Sequence, residues 1–582
     1  MAGVSLLTAD VVVIGSGGAG LCAAAAAHRA GARTILVTKG RAGLANATAY
    51  AGGGFTVSPP PGTEGAALNP DTHLAMSLET GRHIADRELL GHLCQRGPAA
   101  LQEIERDFGV RFEWFLSGCS VARYGRPPLL GGVGLTEPLV LHLRQAGVRI
   151  MEDTVVTGIV PGPNGSVSGV VALDLGGSRG EPSLVTIAAP AVVVATGGGG
   201  AIYGRTDNPP RMTGDGYAML ADAGAALRDM EFVQFYPLGI DEPGLPSSLV
   251  DIGLIDFVRL VDETGVDPLA GKMAEWGVTS GQAINLVARD RAAVALARHI
   301  AAGHQVFLRT DELRERIAGA ASDLADQVRY FFPRTFDPFA RPVRVAPTQH
   351  YFCGGAVISL AAEALDAGGR TIPGLYACGE TTGGVDGANR VGGNALVNIV
   401  VFGLNAGEAA ARFASARPGR GEGLAPGGRL TPGDRLAPGD RLASGADPDH
   451  PAWRLAVENL RERLGRWTGG TGGRCGEPVR PASLRRDLHR LCDTHLGPVR
   501  SEPGLRQALA GLTALSDQLP RLKCEVPADL LLALEMGFAI RTAVFVAQAA
   551  LLRTESRGSH FREDFPVESD AWVRSVVLGG AG

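Results

Sequence analysis

Residues 9–40 read ADVVVIGSGGAGLCAAAAAHRAGARTILVTKG. The apolar run at 11–14 has the continuous hydrophobicity of a parallel strand buried on both faces. The alanine-rich stretch at 21–30 is a strong helix former. RTILVTKG closes the unit as a second strand. Between the first strand and the helix, Gly15, Gly17 and Gly20 fall on G-x-G-x-x-G, with Gly18 and Ala19 in the same turn. In a strand–turn–helix–strand unit of about 30 residues, this pattern marks a dinucleotide site. The glycines permit a tight turn, approach of a pyrophosphate and close helix–strand packing. The usual ribose-binding acid about 20 residues on is absent. The second strand ends instead in Thr38, Lys39 and Gly40, so the ribose contact is made otherwise.

Working outward, two more strand-like runs end in glycine or an acid. APAVVVATGGGGAIY (189–203) carries Ala195, Thr196 and Gly197, and the helical stretch 213–227 that follows has Asp215 near its start. IPGLYACGE (372–380) ends in Glu380. Three such ends can meet on one long ligand at the carboxyl edge of a parallel sheet, which suits FAD better than the shorter NAD. The glycine-rich run GGVDGANRVGGNALVNIVVFG (383–403) surrounds one cation, Arg390. Taken alone, it reads equally as a turn before a core helix or as a ligand loop feeding a helix N-terminus.

The fold class expected is α/β: a Rossmann-like FAD-binding domain with an inserted α+β capping domain and a C-terminal helical domain. The FAD-binding domain takes residues 1–239 and 351–416, the cap 240–350, and the helical domain 451–582. TSGQAINLVARDRAAVALARHIAAG, within the cap, reads as one amphipathic helix. Residues 417–450, with an imperfect A/T-P-G-x-R-L repeat, read as a low-complexity linker. Composition is ordinary for a globular chain of 582 residues, with 45% hydrophobic and 20% charged residues. A net charge of −5 gives no reason to expect nucleic-acid binding. The eight cysteines include no C-x-x-C pair, so neither an iron–sulfur cluster nor another metal site is expected from this chain alone. No signal peptide is read at the N-terminus. No apolar run reads as the roughly 18 residues of a membrane span, and the cytoplasm is the expected location.

GSGGAGLCAA, NATAYAGGGF (46–55), VVATGGGG, TGDGYAMLADAGA, EFVQFYP (231–237), TQHYFCGG (348–355), the 374–403 run and RTESRGSHFREDFP occur in this order. Together they resemble the flavoprotein subunits of the succinate dehydrogenase/fumarate reductase family and the related L-aspartate oxidases. The likeness spans about residues 9–566. It implies further FAD contacts at Thr48, Ala51, Gly52, Gly53, Asn394, Ala395 and Leu396. It also implies that the 383–403 run lies along the flavin ring, and that Gly392 and Tyr236 bind substrate. By the same resemblance Arg390 clamps a substrate carboxylate, His350 hydrogen-bonds it, and Arg289 moves the proton opposite the flavin. The resemblance further implies a small carboxylic acid as substrate and, as partner, an iron–sulfur electron-transfer protein.

Three departures qualify the likeness. The family often reads QFHP, with a histidine for the second carboxylate, where this chain has Tyr236. Tyrosine donates a hydrogen bond but carries no positive charge. The proton-relay segment is replaced at 247–265, where isoleucines stand at the relay positions and Asp251, Asp256 or Arg259 are the candidate substitutes. Ala47 occupies the place of the histidine that binds FAD covalently in some members, so non-covalent FAD is expected. Three readings follow: the flavoprotein component of a CH–CH oxidoreductase, an L-aspartate oxidase-like enzyme, or an FAD-binding assembly factor without catalysis.

Overall fold

The computed structural model describes residues 4–122, 131–176, 181–314, 323–417, 451–469 and 477–579. The segment read as a low-complexity linker lies, apart from Arg417, outside them. Four short buried strands, Val11–Ile14, Thr34–Val37, Ala191–Val194 and Thr371–Ala377, form the parallel heart of a six-stranded sheet. Their register aligns Ile14 with Val37 and Val194, and Val194 with Ala377. All four strands therefore end at one level, and the loops beginning at Gly15, Thr38, Ala195 and Cys378 leave the sheet side by side. A sheet twisted this way presents its ligands at that carboxyl edge.

The helix Gly18–Arg29 buries Ala23 to Ala27 against the helix Asn394–Ser415. The approach is close. A Cβ on Gly403 or Gly407 would stand 2.7 Å from the Ala19 carbonyl oxygen or 2.2 Å from that of Ala23. The alanine run is thus one half of a backbone-to-backbone contact that larger side chains would hold apart.

A second apolar cluster gathers residues from Tyr236 to Val345 under the sheet Val233–Ile240, Val343–Phe352, Val306–Leu308 and Leu260–Asp262. The single amphipathic helix expected there is two helices, Gly281–Val287 and Arg289–Ala301. They are parted at Ala288, whose φ of −137° and ψ of 18° are not helical.

The chain then returns through the helices Pro451–Thr468, Pro481–His495, Glu502–Ser516 and Pro527–Leu552. Two helices, Asn394–Ser415 and Pro527–Leu552, are long and apolar enough to cross a membrane. This corrects the expectation that no apolar run reaches that length. Both are mostly buried in the core, which explains their composition. Where the last helix ends, Arg553 is wholly buried between Glu231, at 2.5 Å from Nε, and Glu555, at 3.0 Å from Nη1.

Candidate active site

One continuous cavity of about 420 Å³ runs from the strand ends at Gly15 to the residues Tyr236, Asp251, Asn285, Arg289, His350 and Arg390. The sheet edge builds the first half and the inserted segment roofs the second.

In the first half the lining includes Gly15, Gly17, Gly18, Ala19, Thr38, Lys39, Thr48, Ala51, Gly52, Gly53, Ala195, Thr196, Gly197, Asp215, Glu380, Ala395 and Leu396. Three expected contacts stand outside it. Gly20 sits behind the turn, where a Cβ would be 1.9 Å from the Gly15 carbonyl oxygen. Gly40 lies beyond the strand end, against Ala45. The Asn394 side chain is buried away from the cavity, its Oδ1 2.8 Å from His73 Nε2 and its Nδ2 donating to Ser77.

Several features of this half fit FAD. Gly52 has no atom within 4 Å of a would-be Cβ, so its bare backbone faces open space. Thr196 Oγ1 is buried without a partner among the described residues. The N-termini of the helices Gly18–Arg29 and Asn394–Ser415 meet here, and such ends favour anionic groups. Glu380 takes a hydrogen bond from Phe352 N at 3.0 Å, and burial pushes its carboxyl up to about 7. Lys39, in the loop just after the strand Thr34–Val37, donates to Asp215 at 2.8 Å and pairs with Glu535 at 3.1 Å. Glu535 lies on the helix Pro527–Leu552 and was not legible as a site residue.

The second half is cationic. Arg390 is 7% exposed, with Nη2 donating to Gln234 Oε1 at 3.2 Å and its guanidinium 4.2 Å from the Tyr351 ring centroid. Arg289 opens the helix after the Ala288 break and donates from Nη2 to Asn285 Oδ1 at 2.8 Å and to the Asn285 carbonyl at 3.0 Å. Its guanidinium lies 5.2 Å from the Tyr236 ring centroid, and a Cβ on Gly392 would be 3.6 Å from its Nη2. The Nε atoms of Arg289 and Arg390 are buried without partners, and among the described residues no carboxylate pairs with either arginine. Burial lowers the Arg289 pKa from its ordinary value, and the Arg390 charge lowers it further. His350 is held at Nδ1 by Asp207 Oδ2 at 2.7 Å. This contact leaves Nε2 for another partner.

Tyr236, expected to bind substrate, lines the cavity, but its hydroxyl is engaged within the wall. Its hydroxyl accepts from Ile252 N at 3.1 Å and faces Asn285 Oδ1 at 3.1 Å and Asp251 Oδ1 at 3.4 Å. With its one proton directed among these acceptors, the residue anchors the wall and shows its ring to the cavity. Of the three suggested relay substitutes, only Asp251 lines the cavity. Asp256 caps Gly281 N at 2.6 Å, and Arg259 pairs with Glu312. Asp207, Gln234 and Asn285 were missed. Gln234 stood in a quoted motif and Asn285 in the quoted helical stretch, but none of the three carried a local signal. On the metal expectation, Asp262, His299 and His304 do place ligand-capable atoms within 4.8 Å of one another, away from the cavity. Hydrogen bonds already link His299 to Asp262 at 3.0 Å and His304 to Glu263 at 2.9 Å.

A parallel sheet with a glycine-lined ligand edge, where Arg390 and, from the inserted segment above, Arg289 lack carboxylate partners among the described residues, defines an FAD-dependent oxidoreductase. The FAD binding domain family model matches residues 10–396, and the fumarate reductase flavoprotein C-terminal model matches residues 485–579. The chain belongs to the fumarate reductase/succinate dehydrogenase flavoprotein family, to which the L-aspartate oxidases are related. It is 31% identical to a subunit of the fumarate reductase (CoM/CoB) of Methanothermobacter marburgensis, over 98% of this chain and 97% of that one. It is 30% identical to the L-aspartate oxidase of Streptomyces coelicolor, over 98% and 91%. Among solved structures, Mycobacterium smegmatis Sdh1 in complex with UQ1 superposes with a TM-score of 0.77 at 26% identity, covering 99% of this chain and 94% of that one.

Gly20→Val is expected to weaken FAD retention by about tenfold, because the added atoms meet a backbone carbonyl that cannot turn aside. The ratio of flavin to protein absorbance after dialysis measures it. Wild-type retention would show that the turn yields without harm.

Proposed function

We propose that this chain is the flavoprotein subunit of an oxidoreductase that interconverts C=C and CH–CH next to a carboxylate, with an iron–sulfur protein as electron partner. The observation that carries this reading is the convergence of Arg289, His350 and Arg390 on the cavity shared with the FAD cradle, both guanidinium groups lacking a carboxylate partner among the described residues. Bound FAD supplies hydride exchange at its N5. Arg390, stacked on Tyr351 and held by Gln234, presents a planar fork suited to a carboxylate. His350, oriented by Asp207, adds a second contact to the same anion. Together they orient the substrate and polarise the bond conjugated to its carboxylate.

Arg289 holds the proton exchanged at the carbon neighbouring the hydride position. An arginine ordinarily keeps its proton. Burial and the nearby Arg390 charge make this one easier to deprotonate. Asn285 fixes its direction from the preceding turn. The role within a larger complex is supported by the relative from Methanothermobacter marburgensis, itself named as one subunit of its reductase, and by the lack of C-x-x-C in this sequence.

The test is anaerobic. The bound flavin is reduced chemically, and its return to the oxidised spectrum is followed after adding enoates. Reoxidation by an enoate and not by its saturated acid is expected. Failure of every enoate would overturn the reading.

A second reading, an L-aspartate oxidase-like enzyme, draws on the relative from Streptomyces coelicolor. Iminoaspartate and hydrogen peroxide formed from L-aspartate in air would establish it. We expect neither, because the far wall carries Asp251 and, where the family often has a histidine, the Tyr236 ring. The FAD is expected to be non-covalent, since Ala47 lines the cavity where some relatives attach it. Acid precipitation should release the yellow chromophore to the supernatant. A coloured pellet would contradict this.

A further inference from the structure

The cavity wall around Tyr236 is unusual for a site that binds anions. It is made by the Tyr236 ring, Leu249, Asp251 and Phe331. Asp251 is the acid of that wall, and the Arg289 guanidinium lies 5.2 Å from its Tyr236 ring. Asp251 Oδ1 accepts from Gly253 N at 2.8 Å and caps the short turn Ile252–Asp256. Among the described residues no cation forms a salt bridge with it. The Tyr236 hydroxyl beside it is already engaged with Ile252, Asn285 and Asp251 itself. A substrate with carboxylates at both ends would place one of them against this acid and an aromatic ring. Like charges at contact distance, partly desolvated, disfavour binding by a large factor.

We infer that the substrate is a monocarboxylate whose opposite end carries an ammonium or similarly cationic group, received by Asp251. The inference rests on the proposed carboxylate chemistry of the same site and names its substrate class. Arg390 and His350 take the carboxylate, the Tyr236 ring and Leu249 line the hydrocarbon between, and Asp251 selects the far end. Asp251 and the Tyr236 ring reject succinate-like acids, so specificity arises from repulsion as well as attraction.

The test separates binding from chemistry. Purified FAD-loaded protein is titrated calorimetrically with three four-carbon acids: 4-aminobutanoate, butanoate and succinate. 4-Aminobutanoate is expected to bind about 10- to 100-fold more tightly than succinate, the range of a charge-assisted contact. Asp251→Asn keeps an oxygen able to cap Gly253 and is expected to narrow that preference about tenfold. Succinate binding as tightly as or more tightly than 4-aminobutanoate, no binding of 4-aminobutanoate, or an unchanged preference in Asp251→Asn would each overturn the inference. Reoxidation of the reduced flavin by (E)-4-aminobut-2-enoate then examines the reaction. If the amine is preferred in binding but this enoate does not react, the substrate assignment stands and the hydride-transfer reading falls.

Discussion

Arg289→Ala is expected to lower the rate at which an enoate reoxidises the bound, reduced flavin by about 10²- to 10⁴-fold, with FAD content unchanged. Arg289 is not in the glycine cradle. It sits across the cavity, over Gly392 and beside Tyr236. Alanine removes both the exchangeable proton and one of the two guanidinium charges, so binding should weaken as well. Stopped-flow reoxidation by (E)-but-2-enoate and its 4-amino derivative separates these effects, because the limiting rate at saturation reports the proton step. Arg289→Lys keeps a charge but not the fork that bonds twice to Asn285. It should recover binding more than rate. The rate of a protonating residue also depends on its pKa, and burial places that of Arg289 below its ordinary value. The pH profile of Arg289→Lys should therefore move, which a merely structural arginine would not cause. A limiting rate within tenfold of wild type in Arg289→Ala would remove this residue from the proton step.

Arg553→Met is expected to cost about 3–5 kcal/mol of stability, the range for removing one partner of a buried ion pair. Arg553 stands between Glu231 and Glu555, donates to the Trp572 and Arg574 carbonyls at 2.9 and 2.8 Å, and lies 4.7 Å from the Phe232 ring centroid. Methionine fills much of the volume but leaves the buried Glu231 carboxyl without its cation, while Glu555 keeps Arg557 at 2.7 Å. Burial already pushes the Glu231 carboxyl up from 4.5 to about 7. A carboxyl whose folded pKa is raised holds its proton more tightly in the folded state, so its stabilising contribution is full below the unfolded value and is lost as pH rises through the folded one. Removing Arg553 raises that folded value further. The loss in Arg553→Met should therefore be larger at pH 8 than near pH 5, measured by thermal unfolding at both. Arg553→Met combined with Glu231→Gln should recover part of it. An equal loss at both pH values would assign the effect to packing. Because Glu231 precedes the strand Val233–Ile240 that carries Gln234 and Tyr236, the variant should also loosen the Arg390 contact.

The cradle was legible because its signals are local. A strand, three spaced glycines and a helix lie within one βαβ unit, and the backbone conformation they permit is a property of that stretch. The roles of Arg289, His350 and Arg390 were approached only through motifs, since each residue alone reads as a surface or core side chain. The split helix was missed because an unbroken 3.6-residue period continues across Ala288. That break sets Arg289 at the start of a helix, beside the Asn285 of the turn before it.

The chain by itself determined that a dinucleotide is held at a glycine turn, that several strand ends carry glycine or acid, and which arginines and histidine stand in motifs. Only the tertiary structure decided that those ends share one level, that the Tyr236 hydroxyl is spent inside the wall, and that Asp251 rather than Asp256 or Arg259 faces the cavity. It also placed Asp207 on His350, Gln234 on Arg390 and Glu535 beside Lys39, pairs separated by 143, 156 and, for the last, nearly the length of the chain. Turn geometry follows from neighbouring residues. The partner of a buried polar group follows from which distant segments are packed against it, and no local pattern records that.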